Sequence, residues 1–231
     1  MGVFSILNFF NKNNLNLYNS FRVTFFILFL TLIITIVNIF IIKEKKARNI
    51  LILEIIVLSI ASYCYIIFIK IIEKYKNNEI IPNYILNDII KYRYIDWLLT
   101  TPLLLLSLIL FLNYLNNDKF EVKKYLIIIT LNFSMLFAGY IGEMNYINKY
   151  ISLIIGFIFY FILILYIWYN YIKKELLEKY VFFIFSIIWA LYGFSFLLNI
   201  KKKNIFYNSL DTISKGFFAL FINIFYSRYI Y

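Results

Sequence analysis

The chain has 231 residues, of which 63% are apolar, 22% aromatic and only 15% charged, with a mean hydropathy of +0.81. Soluble domains run to about 45–50% apolar and about 25% charged, so this composition excludes an ordinary water-soluble domain and indicates a polytopic membrane protein. The net charge of +11 would suggest nucleic acid in a soluble protein, but here the lysines sit mostly in loops that can face lipid headgroups, and one cysteine, Cys64, excludes an internal disulfide.

Apolar runs near the ~20 residues that cross a bilayer predict seven helices, at about 21–42, 50–72, 88–112, 125–143, 151–171, 180–200 and 205–227. The separators are short and polar, which makes 1–231 one seven-helix domain with its termini on opposite faces. No short apolar segment with a small-residue cleavage site precedes the first helix, so no cleaved signal peptide is expected. Lys and Arg divide eleven to ten between the two faces, too evenly for the positive-inside rule to orient the bundle.

Charged groups inside these helices are the informative exceptions. In the second helix, Glu54 stands four residues inside the predicted start, roughly 6 Å deep, where it either faces headgroups or enters the bundle. The third helix carries Arg93, Asp96, Thr100 and Ser107. Ser107 lies about three turns beyond Asp96, so Asp96, Thr100 and Ser107 share one stripe roughly 16 Å long, which reads as a pathway. Taken singly, Thr100 and Ser107 are equally well read as structural, because hydroxyls in membrane helices bond back to their own backbone, and Arg93 alone could snorkel. In the seventh helix Asp211 precedes Lys215 by four residues, about one turn, so both share a face amid Phe, Ile and Leu. A charge at mid-bilayer costs roughly 2.5–3.5 kcal/mol on insertion scales. A buried ion pair is a weak source of stability, so this one points to use rather than structure. A buried lysine is also the amine that forms a Schiff base with an aldehyde. The chain has no histidine, so any proton chemistry runs on carboxylates, the lysine, tyrosines and water.

The run Arg93-Tyr94-Ile95-Asp96-Trp97-Leu98-Leu99-Thr100-Thr101-Pro102 resembles the third-helix signature of the microbial (type 1) rhodopsins, and Asp211-Thr212-Ile213-Ser214-Lys215 is similar to their seventh-helix pattern. Trp189-Ala190-Leu191-Tyr192 resembles the sixth-helix wall of the retinal ring. Met135, Gly139 and Gly142 match the fourth-helix spacing against that ring, and Ile60-Ala61 with Tyr65 resembles the second-helix tyrosine that supports the second counterion. The resemblance covers all seven helices. It implies an all-α membrane protein, a bacteriorhodopsin-like seven-transmembrane bundle with all-trans retinal bound in its centre. Lys215 would hold the retinal as a protonated Schiff base, Asp96 would be counterion and proton acceptor, and Asp211 would complete the counterion pair. Trp97 and Trp189 would flank the polyene and Tyr192 would pack beside it, with Thr101, Leu104, Met135 and Gly139 in the same pocket. Arg93 would couple the counterions to the exit. The family's topology implies an extracellular N-terminus, a cytoplasmic C-terminus and a homo-oligomer, trimeric or pentameric, in the lipid bilayer. It implies no enzyme, no metal and no nucleic acid.

Four departures from the family pattern bear on activity. The triplet that sorts the family's functions reads Asp96, Thr100, Ser107, with serine where the best-known pumps carry a carboxylate donor. Glu54, at comparable depth, is expected to replace that donor, unless cytoplasmic water does. No carboxylate lies between Trp189 and Asp211, so the paired glutamate release group is absent and Glu143 is the substitute candidate. Gly193 follows Tyr192 where proline is common. Asn132 stands where an aspartate often pairs with the threonine matched by Thr101, so an uncharged Thr–Asn bridge is expected. The triplet and the Ile-, Asn- and Lys-rich composition together look most like the rhodopsins of giant viruses of marine protists. The resemblance therefore implies a light-driven outward proton pump. Asp96 argues against inward chloride pumping, and the triplet argues against sodium pumping. A light-gated cation channel would want several glutamates along the second helix, where only Glu54 stands. A sensory photoreceptor would need a transducer, and no signalling domain follows the seventh helix. Leu104 matches a tuning site where leucine goes with green absorption.

Overall fold

Inside a bilayer no water satisfies backbone N–H and C=O groups, so each spanning segment must bond internally, and this chain does so as helices. The computed structural model describes residues 3–75, 81–173 and 175–229, with side chains from 16 to 228. The helices are α1 (Val3–Ile41), α2 (Lys45–Glu73), α3 (Asn83–Asn116), α4 (Val122–Glu143), α5 (Lys149–Tyr171) and α6 (Leu176–Ser195). The seventh, α7, runs Ile200–Asp211, widens into a π-helical turn at Thr212–Phe217 and continues as Phe218–Tyr229. In that wide turn the Phe218 N–H reaches back five residues to the Ile213 carbonyl. Among the described residues there is no strand. The first six helices are long and apolar enough to cross a membrane.

Helix boundaries differ from the hydropathy reading because hydropathy marks the lipid-facing stretch, whereas caps and backbone bonding end a helix. α2 begins five residues before the predicted start, and its first turn carries Lys45, Lys46 and Arg48. α3 starts directly after Pro82, and it ends where Asn117, at φ 54°, turns left-handed and donates to the Asn113 carbonyl. α6 stops at Ser195 instead of 200, because Asn199 is the N-cap of α7, its side chain accepting from the Lys202 N–H at 3.1 Å. Lys12, Lys76 and Lys174, counted among the flanking charges, lie outside the described side chains.

Consecutive helices pack as neighbours, and α7 closes the bundle by packing on α1, α2, α3 and α6. Lipid is as apolar as leucine, so burial alone does not hold helices together here; packing and polar contacts do. Polar bolts join α1 to α7 at two levels. Thr24 donates to the Asn208 carbonyl at 3.1 Å, and Thr212 donates to Thr24 at 3.0 Å. About three turns further on, Asn38 donates to Asn223 at 2.9 Å and Asn223 donates to Thr35 at 2.8 Å. Between them Gly216 faces side chains of α1: a Cβ there would meet Ile27 Cγ2 at 3.4 Å, an ordinary contact. Asn223→Leu removes both inter-helical bonds of the second level. At roughly 0.6 kcal/mol for each such bond, it should lower stability by about 1 kcal/mol, read as a shifted midpoint in reversible unfolding by sodium dodecyl sulfate.

Candidate functional site

Four charged side chains meet in the centre of the bundle, each at most 1% exposed: Arg93 and Asp96 from α3, Asp211 and Lys215 from α7. Lys215 Nζ lies 2.5 Å from Asp96 Oδ2 and 3.6 Å from Asp211 Oδ1. The one-turn spacing of Asp211 and Lys215 puts both inward, with Lys215 inside the π-helical turn, a feature frequent at functional sites.

The two carboxylates are not equivalent. Asp211 accepts from Tyr65 OH at 2.8 Å, Arg93 Nη1 at 2.8 Å, Tyr192 OH at 2.8 Å and Trp97 Nε1 at 3.2 Å. Asp96 has Lys215 on one oxygen and no protein partner on the other. Arg93 is itself confined. Phe21, Tyr65, Phe68 and Tyr207 place their rings 5.2–5.7 Å from its guanidinium carbon, and Nη2 donates to Asn208 Oδ1 at 2.6 Å. Tyr65 thus lies against both Asp211 and Arg93.

A cavity of about 110 Å³ begins at Lys215, and its walls include Trp97, Thr101, Leu104, Met135, Gly139, Trp189 and Tyr192. Gly139 matters because a Cβ at that position would come within 2.7 Å of Tyr94 OH, another wall residue. Gly142 takes no part; it lies instead where α4 crosses Ser152 of α5. Asn132 donates to Thr101 Oγ1 at 2.8 Å, giving the uncharged bridge between α4 and α3.

Toward the other end of α3, Ser107 donates to Glu54, and both are fully buried. The headgroup-facing alternative for Glu54 is therefore replaced by a buried one. The residue is nine positions, roughly 13 Å, from the start of α2, because the helix begins earlier than hydropathy marks it. The stripe through Thr100 is not continuous. Thr100 turns its hydroxyl to the Asp96 carbonyl at 2.8 Å, and the turn of α3 before Ser107, Leu103 to Leu106, carries no polar side chain, with Leu104 and Leu105 buried. Glu143 is held by a cation: Lys203 Nζ reaches both its oxygens at 2.8 Å, with both side chains under 8% exposed. Among the described residues, no cluster of three or more His, Cys, Asp or Glu side chains could hold a metal ion.

Sequence reasoning missed Asn208 and Lys203. Asn208 belongs to a polar stripe on α7, Asn204, Asn208, Asp211 and Lys215, whose spacings of four, three and four residues were legible. Lys203 stands in a run of three lysines that reads as a loop, and nothing local distinguishes it from Lys201 and Lys202.

Residues 19–227 match the sequence model of a family described as bacteriorhodopsin-like protein. Among solved structures, the chain is similar to a viral rhodopsin, OLPVRII, with 29% identity over 93% of this chain and 99% of that one and a TM-score of 0.83. It shares its fold with blue light-absorbing proteorhodopsin from Med12, at 21% identity over 92% of this chain and 97% of that one, with a TM-score of 0.73. It also shares its fold with xanthorhodopsin, a light-driven ion pump with dual chromophore, at 16% identity over 93% of each chain and a TM-score of 0.74. No curated protein matches by sequence.

The Glu143–Lys203 pair makes a direct prediction, since removing one partner of a buried pair strands the other. Glu143→Gln should cost about 3–5 kcal/mol in detergent unfolding, and Glu143→Gln with Lys203→Met should recover most of it.

Proposed function

The chain belongs to the bacteriorhodopsin-like family, and from that premise we propose that it is a light-driven outward proton pump that holds all-trans retinal on Lys215. The residues present fit the group. An amine stands at the end of an apolar, aromatic-walled cavity, and the carboxylates beside it can balance a cation there. Retinal joined to Lys215 supplies a light-driven isomerisation that re-aims the proton on the lysine nitrogen.

The carrying observation is the asymmetry of the two carboxylates. Four donors besides Lys215 fix Asp211 as the permanent anion of the cluster, so it orients and balances charge. Asp96, with Lys215 as its single protein partner, is the group left to take the proton from Nζ. Arg93 cannot deprotonate in a protein, and its place between Asp211 and Asn208 makes it the electrostatic coupling toward the exit. Trp97, Trp189, Leu104, Met135 and Gly139 shape the pocket and exclude water. On the opposite side, Glu54 carries the proton that returns to the Lys215 nitrogen, and Ser107 holds its carboxyl group in place. An apolar turn of α3, Leu103 to Leu106, lies between the two halves. An apolar barrier at that depth suits a pump, which must never open to both sides at once, better than a pore. In this reading the N-terminus is extracellular, Glu54 draws from the cytoplasm, and the chains assemble as a trimer or pentamer.

Cells making the protein with all-trans retinal, in unbuffered medium under green light, should acidify the medium, and a protonophore should abolish the effect. A pigment that forms and cycles without any pH change would overturn the pump. Asp96→Asn should abolish acidification while leaving a coloured protein. Glu54→Gln should slow reprotonation of the lysine nitrogen roughly 10²-fold or more, the usual contribution of a positioned acid, in flash photolysis.

A further inference from the structure

Outward of Arg93, the middle of the bundle is shut. Between α1, α2 and α3 the space is packed by Leu17, Phe21, Phe68, Ile72, Ile81 and Leu86, none more than 1% exposed. On the α4 side the Glu143–Lys203 pair closes the gap, with Lys203 lying over the Phe196 ring at 5.3 Å. The polar groups on that side, Tyr207, Asn204, Lys203 and Glu143, have nearly enclosed side chains.

A polar way does open sideways. A groove of about 490 Å³ lies between α1 and α7 at the same end of the bundle, and its walls include Asn16, Asn19, Ser20, Thr24, Asn208 and Thr212. Asn208 spans the wall between groove and cluster. Its Oδ1 accepts from Arg93 Nη2 at 2.6 Å and from Tyr65 OH at 3.1 Å, while its Nδ2 donates to Ser20 Oγ at 2.8 Å. Behind it, the Thr212 and Thr24 hydroxyls continue the polar lining, 3.0 Å apart. Asn16 and Asn19, at the mouth, are exposed. Val23, Ile27 and Ile213 form the apolar part of the wall, so water in the groove is placed along its Asn16, Asn19 and Ser20 edge.

We propose that this α1–α7 groove is the proton exit. The inference rests on the pump reading above. The proton lost by Asp96, which returns to carboxylate, passes along water past the Arg93–Asn208 contact and leaves the groove as hydronium at Asn16 and Asn19. Arg93 and Asn208 keep their own protons throughout. Asn208 and Ser20 are positioning residues that hold the inner end of the water path against the cluster, and the Ser20 and Thr24 hydroxyls can pass a proton by accepting one and giving up another.

The test is flash photolysis with a pH-indicating dye in the bulk, which times the arrival of the proton separately from its loss by the lysine nitrogen. Ser20→Leu, which fills the groove, should delay bulk arrival roughly tenfold, about 1.4 kcal/mol on that step, with the visible band and the nitrogen's deprotonation rate unmoved. Ser20→Thr, which keeps the hydroxyl, should release as the unsubstituted protein does. A second variant avoids any fault in folding. Asn19→Cys is assembled as a working pigment and only then capped with a bulky, membrane-impermeant thiol reagent, beside the unsubstituted protein, with Cys64 alone, treated identically. Capping should delay arrival only in the variant. Unchanged arrival in both Ser20→Leu and the capped variant would overturn the exit while leaving the pump intact. If the unsubstituted protein releases no proton to the outside under light, the pump reading falls and the exit falls with it.

Discussion

Two cations and two carboxylates share the buried centre of this bundle, and the rest of the structure is arranged to make that tolerable. Removing such groups from water costs several kcal/mol for each ion, and mutual attraction offsets this only where geometry is close and spare hydrogen-bonding positions are filled. The four groups come from two helices, but their partners come from α2, α3, α6 and α7, so the cluster sets where those helices stand relative to one another. Tyr65 on α2 and Tyr192 on α6 both donate to Asp211, one from each side of α7. The aromatic cage round Arg93 does the complementary work, surrounding a buried guanidinium with ring faces where backbone carbonyls are not available.

The proposed pumping direction draws on the same arrangement. Every acceptor position of Asp211 that faces the cluster is engaged, while Asp96 keeps an oxygen without a protein partner, so the two carboxylates differ in what they can do although both are buried beside one lysine. Beyond them α3 presents a turn of leucines, Leu103 to Leu106, and past it Glu54 and Ser107 make a second polar centre. A single unbroken polar stripe would have joined the two ends. In the proposed pump, interrupting it would let each end exchange a proton with Lys215 without joining the other.

Much of this was legible from the sequence where chemistry is local. Charges at mid-span, the one-turn spacing of Asp211 and Lys215, and the third-helix run placed the central cluster and its pocket residue by residue. Hydropathy failed at boundaries, because it records what lipid touches and not where backbone hydrogen bonding stops. Hence α6 ended early at Ser195, and Glu54 stood deeper along its helix than its distance from the apolar edge suggested. It failed again at Lys203, where pairing with Glu143 is a contact between residues sixty positions apart. Thr100 shows the opposite lesson: its position on the stripe was right, yet its hydroxyl serves its own helix. A pattern fixes which face a residue occupies, and only the neighbours decide where its polar atoms turn.

The wide turn at Thr212–Phe217 has a consequence for anyone who recombines this chain with a relative. A helix advances about 100° per residue, so a π-helical turn, which takes in one residue more than a regular turn, resets the angular phase of everything after it. Lys215 faces the centre and Asn223 faces Thr35 and Asn38 of α1 only because that phase step lies where it does. A chimera spliced within the turn, to a partner whose seventh helix is regular there, would keep its lysine and rotate its C-terminal half out of register by about one residue. Splices placed wholly before Thr212 or wholly after Phe217 carry the phase step intact with one parent.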